Sequence, residues 1–143
     1  MDWQTTSEDT VPSAPVTEAD VRLLRARPPA TGAWRDGDPA GGRSFASFGA
    51  FATESGAELP GIRLAFETWG ELNDARDNAI LVLHALTGDS HVRGGAGAGH
   101  PTAGWWEDVT GPGGPLDTDR WFVIAPNMLG GCQGSTGPVS YTH

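Results

Sequence analysis

The sequence predicts an α/β sheet protein, and three stretches of the chain carry that reading. Residues 79–83 (Ala-Ile-Leu-Val-Leu) and 121–125 (Trp-Phe-Val-Ile-Ala) are apolar without alternation. Such runs suit strands covered on both faces, as in a parallel sheet. Residues 62–69 alternate instead, with Ile62, Leu64 and Phe66 on one face and Arg63 and Glu67 on the other. That period of two suits an antiparallel strand with one solvated side. An antiparallel entry followed by a strand–crossover–strand unit is the pattern of an α/β sheet.

Residues 1–42 are rich in Pro, Gly, Ala, Thr and acidic groups, which predicts a mostly disordered leader. It holds one short helix over 18–27. Pro28 and Pro29 stop that helix, because proline lacks an N–H and restricts the residue before it. The folded portion is expected over 43–143. It opens with a weak strand over 45–51, and Glu54-Ser55-Gly56 reads as the turn after it. The alternating strand and the first apolar strand follow. Residues 84–120 then form a crossover, long enough for a short helix near 105–109 on which Trp105 and Trp106 would pack against the sheet. The last apolar strand is expected to keep an open outer edge. No internal repeat is visible.

Composition excludes several functions. The 9 Lys and Arg stand against 18 Asp and Glu, a formal charge of -9. An acidic chain repels phosphate backbones and anionic membranes. No apolar run approaches the roughly 20 residues of a membrane helix. The acidic start, Met1-Asp2-Trp3-Gln4, lacks the apolar region of a secretory signal. A soluble cytoplasmic protein is expected, without nucleic-acid or membrane partners. One cysteine, Cys132, makes neither an internal disulfide nor a cysteine cluster for zinc.

The most informative stretch is His84-Ala85-Leu86-Thr87-Gly88-Asp89-Ser90-His91-Val92. It leaves the C-terminal end of an apolar strand, where α/β proteins place their ligands. On position alone, a plain strand-end turn is about twice as common as a catalytic loop. Three neighbouring motifs read as decoys. Gly130-Gly131-Cys132-Gln133-Gly134 has the form of a cysteine nucleophile elbow, but an elbow needs a strand running straight in and a helix straight out. Three residues separate it from the strand, and Gly134-Ser135-Thr136-Gly137-Pro138 does not begin a stable helix. A structural or pocket-lining thiol is the commoner reading. Gly88-Asp89-Ser90-His91-Val92 lacks the closing glycine that an elbow's close backbone approach needs. Gly95-Ala96-Gly97-Ala98-Gly99 follows no strand and opens no helix, so it reads as a flexible loop rather than a dinucleotide site. His84, His91 and His100, with Asp89 nearby, match no dedicated metal spacing, and no metal is expected.

Five segments together resemble the homoserine O-acetyltransferase family, in order and in approximate spacing. They are Leu64 to Gly70, His84 to Val92, Gly104-Trp105-Trp106, Leu116 to Ile124, and Asn127 to Pro138. The resemblance covers about residues 45–140. It implies an α/β-hydrolase fold, of which this chain holds only the N-terminal part of the sheet, ending before the nucleophile elbow. It also implies ping-pong transfer of an acetyl group from acetyl-CoA to L-homoserine, in methionine biosynthesis. A serine would attack, and a histidine aided by an aspartate would take its proton. The family's pattern puts those three residues downstream, so the fragment alone is expected to be inactive. The last residues, Val139-Ser140-Tyr141-Thr142-His143, depart from the family's continuation, as a truncated or frame-shifted reading would.

Leu86 matches the family's backbone oxyanion donor. Thr87, Gly88, Gly131 and Cys132 are expected to line the substrate pocket. Acetyl-CoA enters as co-substrate and no cofactor is bound. The resemblance leaves room for a homodimer at full length. Relatives that use succinyl-CoA, or serine as acceptor, share these loops, and a non-catalytic remnant of the fold is the rival from another class.

Overall fold

The structure, a computed structural model, describes residues 32–137. The expected helix over 18–27, most of the expected leader and the divergent residues 139–143 lie outside them. Eight strands follow in order: β1 (Ser44–Phe48), β2 (Phe51–Ala52), β3 (Glu58–Leu59), β4 (Ile62–Trp69), β5 (Ala79–Leu81), β6 (Thr110–Gly111), β7 (Leu116–Asp117) and β8 (Phe122–Pro126). β2 and β3 pair across the turn read at Glu54-Ser55-Gly56, and β6 and β7 form a small parallel pair. The main sheet has the order β1-β4-β8-β5. β4 runs antiparallel to both β1 and β8, whereas β5 and β8 are parallel. The antiparallel entry and the parallel unit thus stand where the sequence put them.

Four expectations change. First, β8 lies between β4 and β5, so the open edge belongs to β5 and not to the last strand. Second, residues 105–109 make one hydrogen-bonded turn and no helix, with the Val109 and Thr110 amides both donating to Trp106 O at 3.0 Å. Helix nucleation is unfavourable, and the six residues between Gly104 and Gly111 give it no length to recover. Among the described residues there is no helix at all, and so none long and apolar enough to cross a membrane. Third, the ordered body starts before residue 43. Trp34 N–H donates to Cys132 O at 3.0 Å, and Trp34 Nε1 to Pro39 O at 3.0 Å. Composition flagged this stretch as disordered because its anchors, one tryptophan and one backbone amide, are too few to register in a residue count.

The fourth change concerns the two faces of β4. The face of Arg63 and Glu67 was expected to be solvated, yet Glu67 is buried there, and so is Ala65 between them. Their face is shared by Ala125, opposite Glu67, and by Val123, opposite Trp69. Ile80 pairs with Val123 and continues it onto β5. Val82, Val92, Val123 and Ala125 form the core there, with Trp69, Ile80, Leu116 and Trp121 packed around them. The other face carries Ile62, Leu64, Phe66, Ile124 and Leu81 by strand alternation. It is only partly covered: Leu81 and Leu83 are 60% and 58% exposed. The run 79–83, expected to be buried on both sides, is therefore buried on one.

Gly70 ends β4 for a steric reason. Its φ is +78°, and a Cβ there would sit 2.3 Å from Trp121 O. Only glycine allows both the left-handed turn and that approach.

Candidate active-site segment

The loop after β5 is built around one turn. Gly88 N–H donates to Ala85 O at 2.8 Å, closing a turn whose central residues are Leu86 and Thr87. Ala85 O also receives the His84 ring nitrogen Nδ1 at 2.7 Å. His84 Nε2 in turn accepts the Met128 N–H at 3.1 Å, from the loop that follows β8. Among the described residues, the backbone N–H groups of Leu86 and Thr87 donate to no group of the protein. Leu86 is wholly exposed.

Opposite this turn, Gly131 N–H donates to Met128 O at 2.9 Å and folds residues 128–131 back on themselves. The two loops enclose a cleft of about 480 Å³, lined by His84, Ala85, Leu86, Thr87, Gly88 and residues 128–132. All five residues named from the sequence (Leu86, Thr87, Gly88, Gly131 and Cys132) border this one cleft. The sequence separates them by more than forty positions; the parallel pairing of β5 and β8 brings their strand ends together.

The decoys resolve locally. Cys132 is a free, exposed thiol. It follows a turn and precedes bends through residue 137, with no strand running in and no helix leading out. Ser90 is fully buried, and its Oγ donates to Glu67 Oε1 at 3.0 Å, which removes it as a nucleophile. The glycine stretch 95–99 is less free than expected. Gly97 and His100 exchange backbone hydrogen bonds of 2.8 and 3.0 Å and close it as a tight turn.

Sequence reasoning missed a buried polar knot behind the cleft. Glu67 is its hub, accepting Ser90 Oγ at one oxygen and His91 Nδ1 at the other, 3.0 Å each. His91 N–H donates to Asp89 Oδ1 at 2.8 Å, and Trp105 Nε1 to Asp89 O at 3.0 Å. His100 stacks on His91 with ring centroids 3.7 Å apart and an interplanar angle of 12°. Arg43 donates to Gly99 O at 2.6 Å, to Ala40 O at 3.2 Å and to Gln133 Oε1 at 2.7 Å. The knot therefore ties the far end of the 84–92 loop to β4 and to the 131–133 loop. Burial pushes the Arg43 guanidinium below its usual pKa, with Glu67 and Asp89 opposing. Burial also lowers the pKa of His100, against the attraction of Glu67 and with the help of Arg43 and His91. A neutral ring fits its hydrogen bond, because His100 Nε2 accepts Gly42 N–H at 3.1 Å.

Glu67, His91 and His100 bring potential ligand atoms within 4.8 Å of one another. The sequence treated these histidines as scattered, and this convergence is new. Its geometry suits hydrogen bonding better than coordination. A metal needs imidazole lone pairs that converge in the ring planes, whereas stacked rings aim theirs side by side. The Nε2 lone pair of His100 is engaged by Gly42, and the Arg43 cation adds positive charge next to Glu67. One signal for the knot was in the sequence: Ala65, a small apolar residue, lies between the two charges on a face read as solvated.

No family model matches the chain. Its sequence is 66% identical over 140 residues to a homoserine O-acetyltransferase of Leifsonia xyli, covering 98% of this chain and 35% of that one. Among solved structures it resembles esterase E22, with 34% identity, a TM-score of 0.57, and coverage of 62% of this chain and 24% of that one. It also resembles the homoserine O-acetyltransferase of Bacillus anthracis, with 32% identity, a TM-score of 0.55, and coverage of 61% and 23%. Fold and strand order make the chain part of an α/β-hydrolase. Within that class it belongs to the homoserine O-acetyltransferase family, and it spans about a third of the length of the curated relatives it matches.

Proposed function

We propose that this chain is the part of a homoserine O-acetyltransferase that supplies the first oxyanion donor and one wall of the acyl pocket. In a chain of the relatives' length, a serine downstream would attack acetyl-CoA. A histidine paired with an aspartate would take its proton, and L-homoserine would resolve the acyl-enzyme. The reaction would serve methionine biosynthesis in the cytoplasm. Leu86 N–H would meet the oxyanion of each tetrahedral intermediate. Thr87, Gly88, Gly131 and Cys132 would border the acyl group, with no cofactor or metal taking part.

The observation that carries this reading is the pair of unengaged amides at Leu86 and Thr87, held at the tip of a closed turn on the cleft. An oxyanion donor acts by being fixed beforehand where charge develops, and losing one raises the barrier by about 3–4 kcal/mol. A turn already closed by Gly88 needs little rearrangement to serve.

The test uses a joined enzyme, in which residues 1–143 replace the matching first third of the Leifsonia xyli relative. CoA release is followed with acetyl-CoA or succinyl-CoA as donor, and with homoserine, serine or water as acceptor. The expected result is homoserine-dependent release from acetyl-CoA. Release that ignores homoserine would move the reading to an esterase, and a preference for succinyl-CoA would move it to a succinyltransferase. A folded joined enzyme with no release would leave the remnant reading.

A further inference from the structure

We propose that His84 is a positioning residue, which aims the oxyanion amide of Leu86 by holding the carbonyl at the other end of the same peptide. This rests on the reading of Leu86 as the oxyanion donor. Ala85 C=O and Leu86 N–H belong to one peptide unit. Among the described residues there are no cis peptide bonds, so the two bonds point to opposite sides of one rigid plane. Whatever fixes the carbonyl fixes the direction of the N–H.

Two donors hold that carbonyl. One is Gly88 N–H, at 2.8 Å, which defines the turn. The other is His84 Nδ1, at 2.7 Å. The turn alone leaves the peptide free to rock about the flanking bonds, and the second donor, from a different direction, opposes that motion. His84 Nε2 accepts Met128 N–H at 3.1 Å, so this nitrogen carries the lone pair and Nδ1 carries the proton. One neutral imidazole thus couples the loop after β5 to the loop after β8. It sets the spacing of the cleft walls and the tilt of the amide together. A carbonyl that accepts two hydrogen bonds also polarises its own peptide, which strengthens the N–H as a donor.

The two ring contacts can be separated in the joined enzyme. His84→Asn keeps an N–H near the place of Nδ1 and gives up the contact to Met128. His84→Gln carries an oxygen near the place of Nε2 and gives up the contact to Ala85. The expected result is that His84→Asn stays within about threefold of the parent kcat. His84→Gln and His84→Ala should lose about tenfold to a hundredfold in kcat, the penalty of a slightly misplaced catalytic group. KM for acetyl-CoA should change little, and far-ultraviolet circular dichroism and melting temperature should stay matched. The tautomer gives an independent readout, since the ¹⁵N shifts of the His84 ring should report a protonated Nδ1.

Equal losses in His84→Asn and His84→Gln would reduce His84 to a structural bridge and overturn the proposal. So would parental kcat in His84→Gln, or an Nε2-protonated ring. Leu86→Pro, measured beside them, separates the two ideas. A large loss in Leu86→Pro with unaffected His84 variants leaves the oxyanion reading standing and removes His84 alone. Parental kcat in a folded Leu86→Pro removes the oxyanion reading itself.

Discussion

The two faces of the main sheet differ in a way that inverts the usual pattern. The face covered by the 84–120 crossover buries polar and ionisable side chains: Glu67, Arg43, His91 and His100 lie beneath it. The opposite face carries Leu81 and Leu83, which remain more than half exposed. Burying charge is unfavourable unless every group finds a partner, and on the covered face Glu67 supplies two such partnerships. Directional bonds therefore help to specify that face, tying Ser90 and His91 of the 84–92 loop to Glu67 of β4, although Arg43 Nε, His91 Nε2 and His100 Nδ1 are buried there without a partner among the described residues. The open face is specified by hydrophobicity, which accepts any well-shaped apolar cover. Directional bonds thus hold the loop that builds the cleft, and the less selective face is only partly covered among the described residues.

The largest effect should come from leaving the open face as it is. Purified residues 1–143 are expected to associate and to melt broadly, because an apolar sheet face and the free edge of β5 favour aggregation. Light scattering and thermal unfolding check this. Leu81→Lys with Leu83→Lys should reduce association of the isolated chain yet destabilise the joined enzyme, by about 1.5–3 kcal/mol per leucine if both are covered there. A soluble monomer of the unaltered chain with a sharp transition would erase the contrast between the faces.

The covered face should be broken most severely at its hub. Glu67→Ala strands Ser90 Oγ and His91 Nδ1, and should lower the stability of the joined enzyme by about 1–3 kcal/mol for each buried polar group left unsatisfied. Glu67→Gln keeps one accepting oxygen and should lose less. Urea unfolding of the two variants reads the difference. Equal and small losses would mean that the knot is incidental to the fold.

A smaller effect sharpens the same point through pH. The folded state holds the pKa of His100 below its ordinary value of 6.5. Below that pH the unfolded chain therefore takes up more protons than the folded one, and stability falls as pH drops from about 6.5 toward the lowered value. The slope from this one group is at most about 1.4 kcal/mol per pH unit. Glu67, Asp89, Arg43 and His91 all face this ring, so the comparison needs His100→Gln, which should flatten that window of the curve. An unchanged slope would show that His100 does not carry it.

Much of this arrangement was legible in the sequence, and the exceptions share a cause. The alternating strand appears as β4 with the bounds read for it, and the parallel pairing of 79–83 with 121–125 follows from their unbroken apolar runs. Resemblance collected the residues of the cleft. Alternation alone, however, says that two faces of β4 differ and not which one the crossover covers. The face with Arg63 and Glu67 looked solvated because single-residue polarity cannot anticipate partners more than twenty positions away, such as Ser90 and His91. His84 was weighed as a metal ligand, since its actual partners are backbone groups, which leave no mark in the sequence. The one-turn segment at 105–109 reads as helix only if nucleation is ignored.

The most direct measurement compares Leu86→Pro with Leu86→Ala in the joined enzyme. The Leu86 side chain is fully exposed, so shortening it should leave kcat close to parental. Proline removes the backbone N–H, and kcat for acetyl transfer should fall on the order of a hundredfold or more. Circular dichroism and melting temperature must first show that both variants fold. A folded Leu86→Pro with near-parental kcat, or an equal loss in Leu86→Ala, would contradict the assignment of that amide to the oxyanion.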